Sequence, residues 1–487
     1  MPRWPDGSGF RWYIFLAAFL VLPNIPLLLA AHPLSLLVRG YIDLDYLVIG
    51  LLSLFVPPLA TFILLFAAVV LDFIHATCVT YLFAPAEFLH VMRYGGLLST
   101  TRIGLIVYAF LATLLICAAI TACTSRRAAG RQRRIALVTI VVLFLLLVLA
   151  DIPNVRRILR PGEGHVVRLT RTPTASLIYS QYTYDRYERG MRVGGMYAMP
   201  SAASLALNHL PDYPAHDRPD GASGAQDLQP NLVLVLVESW GSARDPALRD
   251  AIVEPFSDPV LESRYKVLRG TMPFAGPTTS GEKRELCQSY MGMDFDQGTQ
   301  AQLDRCVPLQ MRRAGYRTLA VHGFSGDFYN RKEWYPKLGF DDNWFHDRLR
   351  AAGLPDCPGP FTGSCDDAVA AWAGERLRQR GNAPLFLYWV TLNSHLPVPN
   401  RPVLKSPPSC DVSPVTRNDA AVCSWYQLVS VVTQSVRDLA LAPLGRPTIF
   451  VVVGDHAPPF DKDSQRAEFS ATQVPYFILL PKVATAH

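Results

Sequence analysis

Four long apolar runs crowd the first 151 residues of this chain, at 12–31, 46–83, 103–123 and 135–150. Each approaches or exceeds the roughly 20 residues that carry a helix across a bilayer, so this part reads as a transmembrane bundle. Residues 152–487 return to an ordinary globular composition, long enough for one large core. The densest basic cluster, Arg126, Arg127, Arg131, Arg133 and Arg134, falls between two apolar runs. The positive-inside rule places such a loop in the cytoplasm, so the run at 135–150 leads out and the remainder is exported. With 46–83 counted as two spans, five helices put Arg3 and Arg11 inside; four would put them outside. The first run lacks a small-residue cleavage site and reads as a retained anchor.

The net charge is +6, but the basic residues beyond the loop are scattered, which excludes nucleic acid as the expected partner. Three cysteines (Cys78, Cys117, Cys123) lie in apolar runs and six lie beyond them. Cys287/Cys306, Cys357/Cys365 and Cys410/Cys423 are neighbours in sequence, so three local disulfides in an oxidising compartment are expected, with buried free thiols as the alternative. Residues 152–230, mixing tyrosine and arginine before a Pro/Asp/Gly-rich piece, are expected to form an interfacial helix and a linker. That divides the chain into 1–151, 152–230 and 231–487.

From residue 231 short β-branched runs alternate with helical patterns. Strands are expected at 231–238, 318–323, 385–392, 448–454 and 476–480, and helices at 301–313, 366–380 and 424–441. Near-continuous apolar strands separated by helices imply a doubly wound, mostly parallel α/β sheet covered on both faces. Polar groups follow four of the strands: Glu238-Ser239, His322-Gly323, Asn393-Ser394-His395 and Asp455-His456. In an open parallel sheet the carboxyl edge is where ligands bind. One such group could be a cap or a turn; four on one edge point to a site.

Asp455, His456 and Glu238 supply two carboxylates and an imidazole from two strands, a set that suits one divalent zinc or manganese ion and leaves a coordination position open. The loop Gly276-Pro277-Thr278-Thr279-Ser280-Gly281 presents three hydroxyls, any of which could be a nucleophile beside a cation. The following Glu282-Lys283-Arg284-Glu285 reads as the solvated first turn of a helix, or else as a specificity feature.

These motifs resemble the membrane-bound phospholipid head-group transferases of the alkaline phosphatase superfamily: lipoteichoic acid synthases, glucan phosphoglycerol transferases and lipid A phosphoethanolamine transferases. The likeness lies in the helical N-terminal region, the 231–239 strand ending in Glu-Ser, Thr278 to Gly281 and Gly454-Asp455-His456. It extends to His322-Gly323 with Phe328-Tyr329-Asn330-Arg331 and Leu338-Gly339-Phe340-Asp341, and to the His395 loop. It implies an alkaline phosphatase/sulfatase-type fold at the inner membrane with a periplasmic catalytic domain. It also implies that Glu238, Thr278, Asp455 and His456 hold one metal ion. Thr278 would be the nucleophile, with Thr279 its nearest competitor, and His395 would transfer protons. His322, Tyr329 and Arg331 would bind substrate. The expected reaction moves phosphoethanolamine or phosphoglycerol from a membrane phospholipid to an envelope glycan, lipid A or similar acceptor. Ala457-Pro458 follows Asp455-His456 where the lipid A enzymes usually have Gly-Glu-Ser, which speaks against a second zinc cluster. The alternatives are a sulfatase or phosphatase-type hydrolase, although no Cys/Ser-x-Pro-x-Arg motif lies near Glu238, and a non-catalytic envelope assembly protein.

Overall fold

In the computed structural model the described residues are 18–34, 42–81, 100–124, isolated positions between 137 and 146, 174–175, 200–212, 229–274, 276–289, 300–379, 383–400, 402–460 and 462–482. The chain divides into two compact units, Met1–Gly195 and Met196–His487.

In the first unit the described helices are α1 (Ile25–Leu34), α2 (Leu44–Leu52), α3 (Pro58–Tyr81) and α4 (Thr100–Thr124). The Asp43 side chain accepts from the backbone of Asp45 and caps α2, while Pro58 opens α3 where its missing N–H costs nothing. Phe19, Tyr46, Leu65, Val69, Cys117 and Ile120 pack inward. Tyr46 donates a buried 2.7 Å hydrogen bond to Asp72, fixing α2 against α3. Leu59, Ile63, Tyr108 and Leu115 stay exposed. Among the described residues one helical stretch, Ile103–Ala122, is long and apolar enough to cross a bilayer; Ala18–Ala30 and Pro58–Ile74 are shorter apolar stretches. The arginine loop and most of 135–150 lie outside the described residues, as do the expected interfacial helix and linker apart from 174–175, 200–212 and 229–230, where Ala202–Leu207 is a short helix with Ala202, Ala203 and Ala206 buried.

The second unit is built on a seven-stranded sheet: β1 (Asn231–Val237), β2 (Tyr265–Pro273), β3 (Arg317–His322), β4 (Asp342–Trp344), β5 (Leu385–Val390), β6 (Thr448–Gly454) and β7 (Gln473–Pro481). Their spatial order is β2-β7-β6-β1-β5-β3-β4. Strands β6, β1, β5, β3 and β4 are mutually parallel, whereas β7 runs antiparallel to both β6 and β2. The sheet is therefore mixed, and β2 and β4 join the five strands expected. Strand β2 escapes an apolar-run reading because along it only Tyr265 and Met272 are buried. On β1, Val233, Val235 and Val237 enter one core while Leu232, Leu234 and Leu236 enter the other, so both faces are covered. Each such side chain, fully buried, stabilises the fold by about 1.5–3 kcal/mol.

Around the sheet lie α5 (Ala202–Leu207), α6 (Thr278–Cys287), α7 (Val307–Arg313), α8 (Arg331–Lys337), α9 (Asp366–Arg378) and α10 (Ala420–Leu441). The helix expected over 301–313 is broken near Cys306, where α7 starts with Pro308 in its first turn. The three disulfides pair as expected: Cys287–Cys306, Cys357–Cys365 and Cys410–Cys423.

Candidate active site and metal centre

Strand register sets the centre. Val237 pairs with Gly454 across β1 and β6, so the next residues, Glu238 and Asp455, emerge side by side at the carboxyl edge. Gly454 has to be glycine, because a Cβ there would run into the carbonyl of Trp240. Ser239 sits at φ 55°, a left-handed conformation that costs a non-glycine residue on the order of 1 kcal/mol. Its turn is held from three sides. The Ser239 N–H donates to Asp455 Oδ1 at 2.7 Å, its hydroxyl donates to Glu238 Oε1 at 2.8 Å, and its carbonyl accepts from Trp425 Nε1 at 2.9 Å.

Oxygen and nitrogen atoms of Glu238, Asp455 and His456 lie within 4.8 Å of one another, all buried. His456 Nδ1 faces the Ala457 carbonyl at 2.9 Å, which can only accept, so Nδ1 carries the hydrogen. That leaves Nε2 directed at Asp455 Oδ2 at 3.3 Å and Glu238 Oε1 at 3.6 Å. Burial followed by the neighbouring Glu238 charge pushes Asp455 up to about 7. Burial works against a charged His456, but the two carboxylates outweigh it and raise its pKa. For Glu238 burial is likewise overcome, by His395 and His456, and its pKa is lowered. Asp455 Oδ2 is buried with no hydrogen-bond partner. A buried carboxylate oxygen left so costs several kcal/mol unless a cation faces it. The residues therefore fit a divalent ion, with Glu238, Asp455 and His456 as its ligands.

Thr278 begins α6, and its hydroxyl donates to Glu238 Oε2 at 2.9 Å. The hydroxyl of neighbouring Thr279 is buried with no hydrogen-bond partner. The geometry thus separates the two threonines that sequence left as competitors. The His395 loop is docked on the same turn: Thr391 Oγ1 accepts from the Glu238 N–H, and Ser394 Oγ donates to the Glu238 carbonyl. Asp366 accepts the N–H groups of Leu392 and Asn393 from below, and burial raises it to about 7. His395 Nδ1 faces the Leu396 carbonyl at 2.7 Å, and Phe361 stands edge-on to the ring.

His322 is buried at the end of β3, with Nδ1 at 3.1 Å from the Val390 carbonyl. Burial, then the positive Arg331, holds it well below the usual imidazole range. Arg331 is almost fully buried, and its guanidinium pairs with Glu282, Nε at 3.1 Å and Nη2 at 3.0 Å from Oε2. Tyr329, at φ 56°, holds its ring 5.3 Å from that guanidinium. The donors that suit a phosphate are thus turned to a protein carboxylate.

The expectation of a solvated helical turn at 282–285 is overturned: Glu282, Lys283, Arg284 and Glu285 are each at most 1% exposed. Glu282 also accepts from Tyr335 at 2.5 Å and Tyr388 at 3.3 Å, while Arg284 pairs with Glu285 at 2.6 Å. The four consecutive charges look solvated in sequence because Arg331, Tyr335, Tyr388, Ala203 and the Gly454 carbonyl, which meet three of them, come from distant segments. Asp366 was not singled out in the sequence, since only folding brings the N–H groups of Leu392 and Asn393 to it.

A sequence profile described as sulfatase matches residues 230–486. No curated protein matches the chain. Similar solved structures include the lipoteichoic acid synthase LtaP from Listeria monocytogenes, at 17% identity over 58% of this chain and 72% of that one, with a TM-score of 0.40. The Streptococcus pyogenes phosphoglycerol transferase GacH, in complex with sn-glycerol-1-phosphate, is 17% identical over 57% and 73%, with a TM-score of 0.37. The zinc complex of the C-terminal periplasmic domain of EcEptC from Escherichia coli is 12% identical over 52% and 73%, with a TM-score of 0.34. The profile spans more than half of the chain and takes in β1 to β7 with all four strand-end motifs, and the chain belongs to the sulfatase family.

Proposed function

We propose that this protein transfers phosphoethanolamine or phosphoglycerol from a membrane phospholipid to an envelope glycan or lipid through a phospho-threonine ester on Thr278. The observation that carries the reading is the hydroxyl of Thr278 donating to Glu238 in the same cluster as Asp455 and His456. A sulfatase formylglycine requires Cys or Ser, and the methyl on the threonine Cβ bars oxidation to an aldehyde. A threonine nucleophile therefore favours phosphoryl transfer. The His395 loop and the resemblance in the sequence motifs support the same chemistry.

Glu238, Asp455 and His456, with Thr278 Oγ1, would hold one zinc or manganese ion. When bound, it would supply positive charge that acidifies the threonine hydroxyl and relieves the repulsion between the carboxylates. In the first half-reaction Thr278 Oγ1, its proton passing to Glu238 along their hydrogen bond and returning when the ester later breaks, bonds to phosphorus and the bond to the diacylglycerol oxygen breaks, with His395 protonating that oxygen. In the second, His395 takes the proton of the acceptor hydroxyl, whose oxygen bonds to phosphorus as the threonine ester breaks. The catalytic domain is proposed to lie in the periplasm on a multi-pass membrane anchor of about five helices, which keeps the lipid donor at high effective concentration. The three disulfides suit that compartment.

Mass spectrometry of the purified protein incubated with phospholipids tests the reading. Thr278 should gain about 123 mass units for phosphoethanolamine or about 154 for phosphoglycerol, as covalent catalysis requires. An unmodified Thr278 in protein that releases diacylglycerol would exclude it.

A further inference from the structure

The buried charges after the nucleophile have a geometry that local packing does not require. Arg284 lies on α6, six residues beyond Thr278, and its guanidinium is almost wholly committed. Nη2 donates to the Gly454 carbonyl at 2.6 Å, and Nη1 reaches the carbonyls of Asp455 at 3.3 Å and Pro273 at 3.2 Å. Nε donates to Glu285 Oε1 at 2.6 Å, and Glu285 Oε2 in turn accepts from the Ala203 N–H of α5 at 3.0 Å. One turn before Arg284, Gly281 brings α6 so close to the ligand turn that a Cβ there would lie 2.9 Å from Asp455 Cβ. The helix is therefore pressed against Asp455 at Gly281 and bonded to its backbone at Arg284. A buried ion pair stabilises a fold no better than apolar packing of the same volume, so stability alone does not account for this one. A planar fork of donors can fix several carbonyls at once, which a lysine ammonium cannot.

We infer that Arg284 is a positioning residue that holds Thr278 in register with Asp455 and His456 by tying the nucleophile helix to the backbone of the ligand turn. The inference rests on the metal-centred reading above. It concerns neither a substrate contact nor a metal ligand; Arg284 acts through carbonyls.

Zinc titration of the purified full-length chain by calorimetry, beside circular dichroism of the metal-free forms, tests it. R284Q/E285Q removes the fork without leaving an unpaired buried charge and should bind Zn²⁺ about tenfold or more weakly, the scale of lost support behind a ligand. R284K should fall between it and wild type. E285Q, which leaves all three carbonyl contacts intact, should stay within about threefold of wild type. A folded R284Q/E285Q with wild-type affinity overturns the inference. So does an E285Q as weak as the double variant, or loss of fold in both R284 variants while E285Q folds, since Arg284 would then be a general core residue. Wild-type protein that binds neither Zn²⁺ nor Mn²⁺ would instead overturn the metal-centred reading itself, and the inference with it.

Discussion

His456 Nε2 lies 3.3 Å from Asp455 Oδ2, a buried oxygen with no hydrogen-bond partner. The contact is poor as a neutral pair and good as two ligands of one cation. Metal-saturated protein should therefore melt higher than chelator-treated protein, by about 2.7 kcal/mol of stability at a free ion concentration of 100 Kd. D455N gives the sharper outcome in calorimetry. It removes a buried charge, so its metal-free form should be at least as stable as metal-free wild type, yet Zn²⁺ should add no stability to it.

Thr278 and Thr279 differ in what their hydroxyls meet, Glu238 for one and no partner for the other. T278A should lower diacylglycerol release by on the order of a thousandfold or more, the scale seen when a nucleophile is removed. T278S should retain measurable turnover. T279V keeps the shape and loses only an unsatisfied hydroxyl, so its turnover should stay near wild type and its melting temperature should not fall. Turnover lost in T279V and kept in T278A would reverse the assignment.

Stability of the metal-free form should depend on pH in an unusual direction. Asp366 and Asp455 are carboxyls raised to about 7 by burial, so the folded state holds their protons over a range where the unfolded chain has released them. Their contribution is present below the unfolded value near 4 and is lost as pH rises through 7, by ~4 kcal/mol for a group shifted that far. His456, raised by its carboxylate neighbours once burial is overcome, adds a loss of the same sign above neutrality. Glu238, lowered, acts only at the acid end, where protonation removes its contribution. Chemical denaturation of chelated protein should accordingly show higher stability at pH 5 than at pH 8, and D366N should flatten that slope. A rising profile from 5 to 8 would contradict it.

The central sheet was legible because its strands are continuous apolar runs, a signal that depends only on each strand's own residues. The candidate site was legible where it sits at strand ends: the positions of Glu238, His322, His395 and Asp455 follow from counting to the end of a run. What escaped depends on pairing between distant segments. Strand β2 is placed in the sheet only through β7, to which it is paired over its whole length. Glu282 to Glu285 are four charges in a row, and nothing local says that Arg331, Tyr335, Ala203 and the Gly454 carbonyl will meet them. Thr278 sits between these cases, since its proposed role came from resemblance and its contact with Glu238 from the fold.

Glu282 and Arg331 form the other buried pair near the site, and their surroundings are unequal. Without Arg331, Glu282 keeps two tyrosine hydroxyls; without Glu282, Arg331 keeps the Phe328 carbonyl at a long 3.4 Å and no carboxylate. Removing one partner of a buried pair costs about 3–5 kcal/mol, and the arginine left alone is worse solvated than the glutamate. E282L should therefore destabilise more than R331M in denaturant titration, and E282L/R331M should recover much of the loss. Transfer kinetics then separate stability from recognition. If Arg331 also meets the phosphate of the donor, the double variant regains its stability but keeps a raised KM, because a methionine offers phosphate no donor. We expect that split; recovery of KM along with stability would leave Arg331 a structural ion only.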